Sequence, residues 1–73
     1  MSSAPIAVHR PSRSGGRRVT AHTHGRDEIL GVAYSDQDLI VFLEGAGIHD
    51  PDAVLDDPRW VEWRGGHAHE WTD

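Results

Sequence analysis

One stretch constrains this chain more than any other. Ser35 to Ile48 reads as a single amphipathic helix with both ends marked. Leu39, Phe42, Leu43 and Ala46 follow the i, i+3, i+4, i+7 spacing that lines one helical face. Ser35, with Asp38 three residues on, resembles a capping box in which Asp replaces the usual Glu. Tyr34 before the cap and Leu39 within the helix are placed to form a hydrophobic staple. Asp36 and Asp38 suit the positive end of the helix dipole. Gly47 is placed as a left-handed stop, and Ile48 can fold back on the buried face. Ile40 and Val41 make the apolar stripe wider than one small sheet needs to cover. The surplus suits either a second copy of the chain or a loop carrying Val54 and Leu55, and the loop is the favoured cover.

The flanking segments change period from helical to two. Val19, Ala21 and Thr23 alternate with Thr20, His22 and His24, and Ile29 to Tyr34 follow after Gly25-Arg26. A Gly-first, two-residue loop suits a type II′ hairpin turn. In that register His24 faces Asp27, Ala21 faces Leu30 and Val19 faces Val32. Val19, Ala21, Leu30 and Val32 would then be the core face, with Thr20, His22, His24, Asp27 and Ile29 opposite. Asp50-Pro51-Asp52 reads as a cap, a first-turn proline and an acid, opening a short helical turn through Leu55. Trp60 to Arg64, Gly65-Gly66 and His67 to Trp71 read as a second hairpin. The fold class expected is therefore α+β, in the order ββα(α)ββ. Two β-hairpins form a small antiparallel sheet, with one main α-helix and a short helical turn between them.

Residues 1–16 are rich in Ser, Pro, Gly and Arg, with Ile6 and Val8 the sizeable apolar anchors after the start. Such a composition does not offset the cost of ordering a backbone. The expected organisation is a disordered basic tail over 1–16 and a single small domain over 17–73. Charge divides along the chain as well. Residues 1–26 hold five Arg and no acid, a formal +5, while residues 27–73 hold two Arg against twelve acids, a formal -10. Cys is absent, which excludes a disulfide framework and a thiolate metal site. Lys is absent too, which excludes lysine Schiff-base chemistry. No secretion-signal pattern opens the chain, and its longest strongly apolar run, Leu39 to Leu43, falls far short of the ~20 residues of a membrane span. An Arg-only basic set with abundant Ala, Gly and Asp fits the coding bias of high-GC bacteria. The expected setting is a bacterial cytoplasm, with no membrane partner.

Three constellations could carry function. His22/His24 and His67/His69 form two His-x-His pairs, and side chains two apart share a strand face. If the pairs converged, four imidazoles could hold zinc or another transition metal. The competing reading is a set of solvated histidines, with no cofactor, able to respond to pH. The second hairpin would place Trp60, Glu62, Arg64, His69 and Trp71 on one face, a Trp- and Arg-bearing surface of the kind found at interface hot spots. Packing of the two Trp onto the core is the competing reading. Arg10, Arg13, Arg17 and Arg18 resemble a basic arm for phosphates, although the acidic remainder disfavours nucleic acid. Catalysis has no support: Ser35 is explained by capping, and no Gly-rich phosphate loop sits between a strand and a helix. The expectation is a small non-enzymatic protein-interaction or regulatory accessory module. Its partner would be another protein, a second copy of the chain included. The alternatives are a His-rich metal-binding or pH-responsive module and weak nucleic-acid binding through the Arg-rich arm.

Overall fold

A computed structural model of the chain describes residues 4–23 and 25–72. Four strands and two helices follow in the order β1 Ile6–Pro11, β2 Arg17–Thr23, β3 Arg26–Ala33, α1 Asp36–Gly45, α2 Pro51–Val54 and β4 Val61–Trp63. The sheet order is β3-β2-β1-β4, with both early pairings antiparallel and β4 parallel to β1. The class is α+β, as the periodicities require, but the strands are distributed differently from two separate hairpins.

The main difference lies at the amino end. Ile6–Pro11, which composition assigned to a flexible tail, is a central strand. Ile6 and Val8 alternate with Ala7 and His9, so two apolar side chains suffice to bury one face. Both are almost wholly buried, among Val19, Ala21, Leu39, Leu43 and Val61. With a neighbour on each side, the β1 backbone gains ladder bonds that composition alone does not reveal. Pro11, which has no N–H to offer, closes the strand beside an irregularity in the β1–β2 pairing.

β2 and β3 form the expected hairpin in a shifted register. Thr23 pairs with Arg26 and His22 with Asp27, so the strands reverse one residue earlier than the Gly25-Arg26 reading. A bulge on β3 then changes the pairing to Val19 with Gly31 and Arg18 with Val32. The extra residue reverses the side-chain parity of β3. Ile29 stays on the outer face opposite Thr20 as expected, but Val32 joins it there, and Ala33 takes the buried place instead. Gly31 is needed at this point for a close approach. A Cβ there would sit 2.7 Å from the Phe42 ring tip.

α1 follows its sequence signals closely. Ser35 accepts from the Asp38 N–H at 3.3 Å, and Asp38 in turn accepts from the Tyr34 N–H at 3.0 Å. At the other end the Ile48 N–H bonds to the Leu43 carbonyl and the Gly47 N–H to that of Glu44, a Schellman stop. Leu39 and Leu43 are fully buried, Ile40 and Phe42 pack partly on the core, and Val41 is exposed. Val54 and Leu55 join the same cluster, so the loop after α1 covers part of the wide stripe. Tyr34 is 63% exposed, and its ring lies beside Gly16. Asp50 precedes α2 in a left-handed conformation and makes no side-chain cap bond.

The second expected hairpin does not form. Gly65 bends the chain away after β4, and His67 to Trp71 are turn and irregular structure. β4 pairs instead with β1, through Ile6 N–H to the Trp60 carbonyl and Arg64 N–H to the Val8 carbonyl. Both helices lie on one face of the sheet. Ala7, His9, Thr20, His22 and Ile29 belong to the other.

Candidate functional site

Two regions hold most of the polar side chains of interest, one on each face of the sheet. The first is built on Arg17. Its guanidinium is wholly buried and donates to four backbone carbonyls: Nε to His9 at 2.7 Å, Nη1 to His67 and Glu70 at 2.8 and 2.7 Å, and Nη2 to Arg64 at 2.9 Å. Its carbon centre lies 5.2 Å from the Trp63 ring. Burial lowers its pKa from the usual value, opposed by the nearby Glu70. One side chain thus ties the irregular segment 64–70 to the start of β2. Arg17 was expected in a phosphate-binding arm. Strand parity sends it inward instead, with Val19 and Ala21.

Trp63, Trp71 and His69 pack around the same point. The Trp71 ring meets Trp63 edge-on at 5.4 Å and donates its N–H to Asp36 at 2.7 Å. His69 lies between two carboxylates, with Nδ1 2.7 Å from Asp36 and Nε2 2.6 Å from Asp56. The Asp56 and Asp36 hydrogen bonds raise its pKa above the usual imidazole value. His69 and Trp71 therefore fasten the carboxy-terminal segment to α1 and to the loop after α2. This region has the character of a clamp, and no buried polar side-chain atom among the described residues lacks a partner.

The expected surface of Trp60, Glu62, Arg64, His69 and Trp71 is consequently divided. Glu62 and Arg64 form an ion pair at the β4 end of the sheet, and Trp60, 42% exposed, lies beside Pro5. His69 and Trp71 belong to the clamp on the helical side. The four-histidine set is divided too. His22 pairs with Asp27 on the outer face, whereas His67 and His69 lie in the carboxy-terminal segment. His24 lies outside the described residues. Among the described residues, no group of three or more His, Asp or Glu is arranged to hold a metal ion.

The second region is the outer face. Ile29 and Val32 are 66% and 45% exposed there, and neither helix covers them. A small hollow is lined by Ala7, His9, Thr20, His22 and Arg64. Adjoining it through His9 and Arg64, a cleft of ≈ 740 Å3 is lined also by Arg10, Arg13 and Arg18. His9 is tied to the Thr20 hydroxyl at 2.9 Å, and burial together with the Arg18 and Arg64 charges lowers its pKa. Gly65 makes the cleft possible. It adopts φ +70, and a Cβ on it would lie 2.4 Å from that of Arg10. Its missing side chain lets the chain after β4 approach Arg10, and Arg10 and Arg64 line the same cleft. Three of the four expected arm residues, Arg10, Arg13 and Arg18, line this cleft, and Arg17 does not.

Arg64 was legible in the sequence as a surface residue of the expected second hairpin, but its grouping with the amino-terminal Arg was not. That grouping follows from the parallel β1–β4 pairing, for which the sequence carries no local signal. No helix among the described residues is long and apolar enough to cross a membrane. Comparison with protein-family models, curated proteins and solved structures finds no match.

Proposed function

We propose that the protein is a non-enzymatic module that contacts another protein through the outer face of its sheet. The observation that carries this reading is the uncovered face itself. In a chain of 73 residues that has little apolar material to spare, Ile29 and Val32 remain outside the core on an ordered sheet. Trp60 adds an exposed aromatic beside the sheet, and Arg18 and Arg64 border the patch. Trp and Arg are the residue types most often found at interface hot spots. The complementary surface is an apolar patch rimmed by carboxylates.

The test uses matched variants of the full chain. Ile29→Glu with Trp60→Glu alters the outer face, and Val41→Glu alters an exposed apolar residue of α1. All should retain the wild-type circular dichroism spectrum. A photo-crosslinker on the outer face should join the wild-type chain to its partner or to a second copy. The outer-face variant should lose that product and Val41→Glu should keep it. The opposite pattern would move the contact to the helical side and end the proposal.

A further inference from the structure

The cleft at the Arg-rich end of the outer face has a chemistry of its own. We infer that it is a binding site for a phosphate-class oxyanion with at least two negative charges. Three separate segments converge there: the end of β1 and its turn supply Arg10 and Arg13, β2 supplies Arg18, and the end of β4 supplies Arg64. Guanidinium groups present planar donor forks that match phosphate oxygens two at a time. Among the described residues, Arg10, Arg13 and Arg18 make no ion pair with a carboxylate. Arg64 meets Glu62 through Nε, which leaves its terminal nitrogens to other partners.

The frame is also held in place before any ligand arrives. The Arg64 backbone is bonded on both sides, its N–H to the Val8 carbonyl at 2.8 Å and its carbonyl to buried Arg17 at 2.9 Å. Arg18 sits in the paired interior of β2. The turn between β1 and β2 is closed by Ser12 N–H to the Gly16 carbonyl and by the Ser12 hydroxyl to that of Gly15. Such a frame lowers the ordering cost of binding. A volume of ≈ 740 Å3 suits a small polyanionic group. The inference goes beyond the protein-contact reading: the cleft shares Val32, Arg18 and Arg64 with the proposed contact face, but Ile29 and Trp60, which the contact test alters, are not part of it.

Inorganic diphosphate is the probe, added to the full chain at low ionic strength and followed by amide and histidine NMR. The result expected is one saturable site, with shifts concentrated in residues 10–18 and at Arg64 and Gly65. Arg26 and Arg59, exposed cations outside the cleft, should not move. The bound anion should also raise the His9 pKa, reversing the effect of Arg18 and Arg64. Arg18→Gln with Arg64→Gln should weaken binding at least ~10-fold, while Arg26→Gln with Arg59→Gln, an equal loss of charge, should leave it within ~2-fold. Equal weakening by both pairs, or shifts spread over every Arg, would overturn the site. Two further arms use a single-stranded oligonucleotide and a phosphate-free oligoglutamate of matched charge. Tighter binding of the oligonucleotide identifies a nucleic-acid strand as the source of the phosphate, and tighter binding of diphosphate identifies a free one. Oligoglutamate binding as tightly as diphosphate would overturn the phosphate assignment.

Discussion

Arg17 and Arg18 are neighbours in β2, yet the fold gives them opposite work. Arg17 is wholly buried and holds four carbonyls, whereas Arg18 is exposed and borders an open cleft. Alternation along the strand separates them, and the same parity separates the two faces of the sheet. On the helical face, Trp63, Trp71 and His69 are fastened to Arg17, Asp36 and Asp56. On the outer face His9, His22 and Arg64 are paired with Thr20, Asp27 and Glu62, whereas Arg10, Arg13 and Arg18 make no ion pair among the described residues and Ile29 and Val32 stay exposed. The polar groups of the helical face tie distant segments together, and those of the outer face make only short-range or no pairings. Composition alone joins Arg17 and Arg18 into a single basic arm.

The sharpest way to break this comparison is to truncate each arginine in turn. Arg17→Ala strands four carbonyls and releases segment 64–70. We expect a loss of about 3–5 kcal/mol, enough to unfold much of a chain this small. Arg18→Ala should change stability by less than about 0.5 kcal/mol. Urea denaturation followed by circular dichroism measures both, and equal effects would erase the distinction. Trp71→Ser comes next. It removes an edge-on contact with Trp63 and a hydrogen bond to Asp36. A half-buried Trp in this setting should cost about 2 kcal/mol. An unchanged midpoint would return Trp71 to the recognition surface that the strand pattern suggested.

The parts legible in the sequence are those encoded within a few residues. The α1 cap at Ser35, its Schellman stop at Gly47 and its buried Leu39 and Leu43 are local, and each is where the sequence puts it. The β2–β3 hairpin is local too, but its bulge is not written in residue type, and one extra residue is enough to expose Val32. β1 is illegible for a different reason. Ile6 and Val8 become valuable only when β2 and β4 flank them, and β4 lies more than fifty residues away in the chain. The same long-range pairing displaces the second hairpin and assembles the Arg10–Arg64 cleft. Composition shows the charge on the amino-terminal arm and misses the sheet that orders it.

Gly65→Ala examines the junction between the two faces. The residue holds φ +70, and a new Cβ would press on Arg10. We expect a loss of about 1–2 kcal/mol from backbone strain and displacement of β4. Oxyanion binding in the cleft should weaken more than the loss of stability explains, because Arg64 moves away from Arg10. Wild-type diphosphate affinity in a folded Gly65→Ala protein would show that the close approach is not needed.

The smallest effect distinguishes the two faces by their histidines. Hydrogen bonds to Asp56 and Asp36 raise the pKa of His69 in the folded chain, so folding favours its protonated form. Its contribution to stability is full below the unfolded imidazole value of about 6.5 and is lost as pH rises through the higher folded value. His9 works in the opposite sense. Burial, with Arg18 and Arg64, lowers its folded pKa, so its neutral form is favoured and stability falls as pH drops below about 6.5. Stability measured against pH should therefore decline in the wild type as pH rises above about 6.5 toward the higher folded value of His69. His69→Gln should flatten that decline while keeping the acid-side loss, and His9→Gln should do the reverse. If His69→Gln leaves the alkaline limb unchanged, its two aspartate contacts do not hold the carboxy-terminal segment, and Arg17 with Trp71 forms the clamp without it.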